Sequence, residues 1–561
     1  MDDLTSLLAD PGFTPGQRHL RPLLDRLSGD DESAEHVSRV LLRAGPEVVD
    51  LVQARMVAPE MAPRVRARLV RLLGRLALRP GATVKADVFG PWLDDADLGT
   101  RRQAALALGK MPGAEVEGML IARWRPEAPV AFLRSLAEGL GKVGGARARE
   151  LLDRWAASGA IAKGQPRSPS ADDPELRRLV DRARVMLARA DARRPAEGSG
   201  DETRVVEPRL KLREMSPGLV AVTLRCRRGL DRILRDEASG VVRGLTIEAP
   251  GLLKGTFEGP LVRLAALRVA LSFGFPLEPV RVQPGDEARA LTTALTSRRA
   301  KAIFAAWSPS PVRFRVAWRD GGHHRAVVWE MARHALAVGL LNDPSQPDWE
   351  LLAWQREGQL FTELVPRALG DVRFGYRKGD VPAASHPTVA AALARAGGVR
   401  DDDVVWDPFV GSGLELCERS LLGPYAALHG SDRDPGALAI AEANLTSAGA
   451  HPVHLAVADA RAHQVAGLTL VLSNPPLGHR VARHDDLAPL LDAVVTSVAR
   501  QLQPRGRFVW LAPFAERAAQ AGARAGLEVD RQGAVDLGGI EAELQVMTAP
   551  RLALPSKPHT R

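Results

Sequence analysis

The chain predicts a multidomain protein: an N-terminal all-α helical repeat, a middle α/β domain, and a C-terminal α/β domain on a mostly parallel sheet. Three observations predict this. The 561 residues exceed what a single hydrophobic core supports. Apolar helical segments of one type recur through the first third. In the last third, short apolar strands alternate with helices, which is the pattern of a parallel sheet. The expected divisions are 1–190 for the helical region, 191–216 for a linker, 217–364 for the middle domain, 365–550 for the C-terminal domain and 551–561 for a tail.

Composition narrows the functional classes. The chain is 45% hydrophobic and 25% charged, and its net charge is +9, which favours a polyanionic partner such as nucleic acid. Aromatic residues make up only 4%, so stacking on bases rests on few side chains. Cys226 and Cys417 are the two cysteines. Two distant thiols exclude a zinc ribbon, an iron–sulfur cluster and a disulfide framework, so no metal is expected and a reducing cytoplasm fits. The start, "MDDLTSLLADPGF", is acidic and is not expected to be a signal peptide. The most apolar run, "LVRLAALRVALSFGF", is too short for a membrane span and carries Arg263 and Arg268, so no membrane partner is expected.

In the helical region, "LVRLLGRL", "AALALGKM" and "AEGLGKV" each run an apolar helix into Gly-basic-apolar, at spacings of about 30 to 35 residues. Each reads as one helix of a stacked pair, ended by Gly74, Gly109 or Gly141. This resembles HEAT-type repeats, which implies a platform for a protein partner. Arg64, Arg66, Arg68, Arg71 and Arg75 read as a solvated face. The Pro/Gly/charge-rich stretch Asp191–Arg209 has no periodicity and reads as a linker.

The middle domain opens with a strand, "GLVAVTLRC", and a helix, "RRGLDRILRDEASG". Later, "VRFRVAWR" reads as a strand and "HRAVVWEMARHALAVGLL" as a helix. Arg228, Arg232 and Arg235 recur at helical spacing and are expected on one helix face, either as RNA contacts or in pairs with Asp231, Asp236 and Glu237. A strand ending in Cys followed by "RRGLDRILRDE" resembles the start of a THUMP domain, which implies RNA binding.

The C-terminal series carries the chemistry. "VVWDPFVGSGLELCERS" puts Asp407 at a strand tip and Gly411-Ser412-Gly413 in a tight loop that lets backbone approach a ligand. It is not a P-loop, because Leu414 stands where Lys is needed. It is not a dinucleotide fingerprint, because Leu416 replaces the third Gly. It is not a nucleophile elbow, because Val410 and Leu414 flank Ser412. A second strand ends near Asp432, a carboxylate suited to two ribose hydroxyls. Asp434 then caps a helix that has Pro435 at its first position and Gly449 past its end. Asp459 closes a third strand, where side chain and backbone could meet an adenine edge. The fourth, "LTLVLS", ends in Asn474-Pro475-Pro476. Prolines end the ladder and stiffen the loop, which presents an amide and backbone carbonyls. Four such tips on the carboxyl side of one sheet make a cofactor cleft.

These motifs resemble those of class I S-adenosylmethionine-dependent methyltransferases, whose domain is Rossmann-like. The resemblance implies S-adenosylmethionine as cofactor. "DPFVGSG" then supplies Asp407, Phe409, Gly411 and Gly413; Asp432 serves the ribose and Asp459 the adenine. Asn474, Pro475 and Pro476 match the catalytic motif of amino-group methylation. With "YR" at Tyr376-Arg377 and "NPP-x-G-x-R" ending at Arg480, the match extends to THUMP-containing RNA guanine-N2 methyltransferases acting on ribosomal or transfer RNA. On that resemblance Tyr376, Arg377, Leu477, Arg480, Arg228, Arg232 and Arg235 are the candidate substrate contacts. "GRFVWLAP" and "VDLGGIEAELQVMTAP" fit the domain's remaining strands. The resemblance covers about residues 217–550.

Two positions depart from the family pattern. Leu477 stands where an aromatic residue usually stacks on the target base, a contact worth ~1–3 kcal/mol in single-strand recognition. Phe409 and Phe514 are the candidate substitutes. Leu414 replaces the usual Thr. Methylation of DNA adenine or protein glutamine uses the same Asn-Pro-Pro loop and is the alternative, as is an inactive RNA-binding scaffold.

Overall fold

Four helices stack in succession in the first of two compact units: Pro63–Leu76, Leu98–Leu108, Val130–Val143 and Pro174–Arg193. Glu47–Met56, Ala114–Ile121 and Ala146–Ser158 pack as the outer partners of the first, third and fourth. The computed structural model describes residues 4–58, 61–80, 84–111, 113–158, 172–193, 209–322, 324–369, 371–382, 384–477 and 484–551. The first unit comprises 1–204 with 323–345, and the second 205–322 with 346–561.

The recurrent glycines have a different role from the expected one. Only Gly109 caps a helix; Gly74 and Gly141 lie inside theirs. Each sits where one stacked helix meets the next. A Cβ on Gly74 would come within 2.5 Å of Ala107, one on Gly109 within 2.5 Å of Gly139, and one on Gly141 within 2.8 Å of Ala183. The repeat is therefore a repeat of close helix contacts. The arginine row is likewise not a free face. Arg64 and Arg68 pair with Asp31, Arg71 and Arg75 with Glu35, and Arg66 with Asp95, so the row ties its helix to neighbouring turns.

The expected linker is shorter than 191–216. The helix runs to Arg193, and from Arg209 the chain is anchored in the second unit, where Arg209 pairs with the buried Asp348 and the Lys211 N–H donates to the Trp307 carbonyl. Residues 323–345, expected in the middle domain, belong to the helical unit. The reason is the helix Arg325–Ala337. Its Trp329 ring lies between the Arg182 and Arg189 guanidinium groups, at 5.4 and 5.2 Å.

In the second unit, a mixed sheet runs in the order Val242–Ala249, Leu252–Phe257, Val220–Arg225, Ser272–Pro276, Gln359–Pro366, Trp349–Arg356, Val312–Trp318. Only the last pair is parallel. Helices Glu287–Leu295 and Arg298–Trp307 follow, and Phe304 and Trp307 pack on Trp349 and Phe275.

The C-terminal domain alternates helix and strand in this order: α1 (Pro387–Gly397), β1 (Val404–Asp407), α2 (Leu414–Leu422), β2 (Ala427–Asp432), α3 (Pro435–Ser447), β3 (Val453–Val457), β4 (Leu470–Ser473), α4 (His484–Gln501), β5 (Arg507–Ala512), α5 (Ala515–Arg524), β6 (Glu528–Asp536) and β7 (Glu541–Thr548). The sheet order is β3-β2-β1-β4-β5-β7-β6. The first five strands are parallel, and β7 inserts antiparallel between β5 and β6. The chain reverses direction across the sheet between β1 and β4, the place where open α/β sheets bind ligands.

This domain is fastened to the mixed sheet by buried charge. Glu418 is 1% exposed, accepts from Arg268 at 2.6 Å, and accepts the Tyr376 hydroxyl at 2.5 Å. Glu237 pairs with Arg395 at 2.8 Å and accepts the N–H groups of Arg268 and Val269.

Candidate active site

β1 ends at Asp407, which is 1% exposed. Its Oδ1 accepts the Phe409 N–H at 3.0 Å and the Ser473 hydroxyl at 3.1 Å; its Oδ2 is buried with no hydrogen-bond partner among the described residues. Burial first, then the charge of Glu415, raises this carboxyl well above its usual range. The following loop turns through Gly411 at φ +47° and Gly413 at φ +79°. Gly413 heads α2 in the left-handed region, where a Cβ would also sit 3.2 Å from Ala441.

β2 ends at Asp432, whose Oδ2 accepts the Gly411 N–H at 3.1 Å and Oδ1 the Asp434 N–H at 3.0 Å. The second carboxylate is thereby tied to the glycine loop after the first. Asp434 caps α3 as expected, accepting the Gly436 N–H at 2.8 Å. Beyond β3, Asp459 is held by Arg461 through both oxygens, at 2.9 and 2.6 Å. The Arg461 hydrogen bonds lower its pKa to about 2.

β4 ends at the buried Ser473, and Asn474 follows at the tip. The Asn474 Nδ2 donates to the Ser385 hydroxyl at 2.8 Å, while Oδ1 is buried without a partner among the described residues. Ser385 donates in turn to Glu415 in the first turn of α2. Glu415 is 4% exposed, and burial raises its pKa. The tips of β3, β2, β1 and β4 are neighbours in the sheet, so Asp459, Asp432, Asp407 and Asn474 line one edge in that order.

The candidate substrate contacts divide. Tyr376 is not a base-stacking residue: it is 6% exposed and its hydroxyl is bound to Glu418. Arg228 does not share a helix face with Arg232 and Arg235, because the helix starts at Asp231. Arg228 lies in the preceding turn and pairs with Asp536 at 3.0 Å. Arg232 and Arg235 are exposed on that helix. The expected partners Asp231 and Glu237 are used elsewhere, Asp231 holding the Gly229 and Gly251 N–H groups. Arg377 is exposed and pairs with Asp380. Leu477 is half-buried, and Arg480 lies outside the described residues. Phe409 and Phe514 pack against the apolar cluster around Trp406 and Phe508.

Ser385 and Glu415 went unrecognised in the sequence. Glu415 left a signal, an acid in the otherwise apolar "LEL" opening α2. Ser385 left none, since only the fold carries it to Asn474.

Among known proteins, the family model UPF0020, described as an RMKL-like methyltransferase domain, matches residues 374–541. These residues form a methyltransferase domain; the match covers under a third of the chain. No curated protein matches. Among solved structures, the chain is similar to TrmN from Thermus thermophilus at 23% identity and a TM-score of 0.47, over 59% of this chain and 99% of that one. It is also similar to a predicted N6-adenine-specific DNA methylase from Listeria monocytogenes str. 4b F2365 at 17% identity and a TM-score of 0.46, over 59% and 96%. The cofactor is S-adenosylmethionine. The residues fit it: Gly411 and Gly413 turn the loop at positive φ beside Asp432, Asp432 stands half-exposed at a strand tip, and Asp407 keeps one buried oxygen unpaired among the described residues.

Proposed function

We propose that the domain methylates an exocyclic amino nitrogen of an RNA base, with guanine N2 of ribosomal or transfer RNA as the leading target. The observation that carries this is the Asn474 Oδ1, buried and unpaired among the described residues, beside Pro475 and Pro476. A buried carbonyl oxygen without a donor costs about 1–3 kcal/mol, and a substrate N–H would relieve it. S-adenosylmethionine, when bound, supplies an electrophilic methyl group on a sulfonium.

The chain's residues act on the acceptor. An amino group conjugated to a base ring is a poor nucleophile. Asn474 Oδ1 and the Pro475 carbonyl can each accept one of its hydrogens, which directs its lone pair and adds electron density to nitrogen. The two prolines keep both acceptors from turning away, so little reorganisation accompanies transfer. The amino nitrogen gains the methyl as the sulfur–methyl bond breaks and a neutral thioether leaves, and the nitrogen releases one proton to solvent.

RNA is favoured over other amino substrates by the +9 charge and by the strand and helix that open the middle domain at Val220–Arg225 and Asp231–Ala238. This order supports the THUMP-like reading, and the stacked helical unit supports the HEAT-like one and a protein partner. Leu477 favours a second reading: a protein glutamine has no flat ring and needs no aromatic partner. Methyl-labelled S-adenosylmethionine with total bacterial RNA separates the two. Ribonuclease-sensitive label, lost in Asn474→Ala by roughly 100-fold or more, is expected. Label confined to protein would overturn the RNA assignment.

A further inference from the structure

We propose that Ser385 and Glu415 form a relay that fixes the direction of the Asn474 amide and strengthens its oxygen as an acceptor. They are positioning residues that act through Asn474, and their use in turnover rests on the methyl-transfer reading above.

The argument starts from the two ends of an amide, which have nearly equal size and opposite hydrogen-bonding character. Steric packing alone cannot choose between them. The neighbour can. Ser385 has one hydroxyl proton, and it is committed to Glu415. A serine whose proton is committed can only accept, so the end of Asn474 facing it must be Nδ2. Oδ1 is thereby turned to the side where it has no partner among the described residues. A half-turn of the amide would set two acceptors against each other. Ser385 could relieve that only by withdrawing its proton from Glu415, which is 4% exposed. Leaving such a carboxylate without its donor is costly.

Glu415 acts as the acceptor in this chain. Asp407 is the neighbouring buried acid; burial raises both carboxyls, and the Glu415 charge raises Asp407 further. Glu418, the other acid nearby, is already matched by Arg268 and Tyr376. By accepting that proton Glu415 polarises the Ser385 hydroxyl, which then draws harder on the Asn474 N–H. In a part-buried chain of this kind each bond strengthens the next, and the amide oxygen gains electron density. The three members sit on separate supports: Asn474 at the end of β4, Glu415 in α2, and Ser385 immediately before His386, which caps α1 through the Thr388 N–H. Geometry fixed by three packed elements does not drift.

The chain has three asparagines, Asn342, Asn444 and Asn474, so selective 15N-asparagine labelling gives three side-chain amide pairs. Asn474→Ala identifies its own pair by loss. Ser385→Ala is expected to shift the Asn474 pair and leave the other two in place. Glu415→Gln, which keeps an acceptor but removes the charge, is expected to shift it less, and Ser385→Thr to preserve it. An Asn474 pair unmoved by both Ser385→Ala and Glu415→Gln overturns the relay. In turnover, Ser385→Ala is expected to lower kcat roughly 10- to 100-fold with KM for RNA within about twofold, the loss expected from misplacing a positioned group. Ser385→Thr should recover it, and Ser385→Ala should add no loss to Asn474→Ala. A further, independent loss in that double variant would assign Ser385 a purely structural role and overturn the proposal. Should the wild type transfer no methyl group to RNA, the substrate reading fails, and the amide spectra, which need no substrate, still decide the relay.

Discussion

Asp407 shows what the site costs the fold at the scale of one residue. Its carboxyl is buried with one oxygen unpaired, and its pKa lies well above 3.8. A carboxyl whose folded pKa is raised binds its proton more tightly when folded. Stability is then fully present below the unfolded value and is lost as pH rises through the folded one. Asparagine keeps an oxygen for the Phe409 and Ser473 donors and does not ionise. Asp407→Asn should therefore stabilise the protein by about 1–3 kcal/mol at pH 8 and by much less at pH 5, read as the difference in thermal midpoint at the two pH values. A difference of constant size would show that Asp407 does not titrate in this range. Tyr376 makes the complementary case. Tyr376→Phe removes a hydroxyl from a buried carboxylate that still holds Arg268, so a loss of about 1–2 kcal/mol is expected in denaturant unfolding. RNA binding should be unchanged, because the ring is enclosed.

Among the elements, the C-terminal strands were legible because each ends in a polar residue that the apolar run before it makes conspicuous. Val404–Asp407 and Leu470–Ser473 are short and apolar up to their ends, and with Ala427–Asp432 they are closed by Asp407, Asn474 and Asp432. The helix Asp231–Ala238 was misread at its start. Arg227 and Arg228 have helix-forming side chains, but Gly229 adopts φ +92° and breaks the run, and its Cβ position is filled by the Ala534 carbonyl. The helical repeats were found from glycines whose function lies between helices. Gly109→Ala would drive a methyl into the Gly139 backbone, where no flexible side chain can yield. It should destabilise the helical unit by roughly 1–3 kcal/mol, seen by calorimetry as a lower unfolding temperature for that unit. The second unit's transition should keep its midpoint.

At the scale of the whole molecule, the middle and C-terminal domains lie in one compact unit, joined through Glu418, Glu237 and Asp536. An RNA-binding reading of this unit predicts a salt-dependent affinity. Charge-reversing both exposed residues, Arg232→Glu and Arg235→Glu, should weaken RNA binding and flatten its dependence on salt, measured by fluorescence anisotropy across a salt series. An unchanged slope would remove those residues from the interface. The sequence alone determined the three kinds of segment, the four strand tips and the identity of the amide at the last of them. These follow from local patterns: apolar periodicity, proline stiffness and the chemistry of each side chain. Only the tertiary structure decided that Tyr376 is enclosed, that residues 323–345 pack with the helical unit, and that Ser385 and Glu415 stand behind Asn474. Those facts depend on contacts between residues far apart in the chain, here 89 positions from Ser385 to Asn474. No local pattern encodes such a meeting, because it exists only once the sheet has brought its strand tips to one edge.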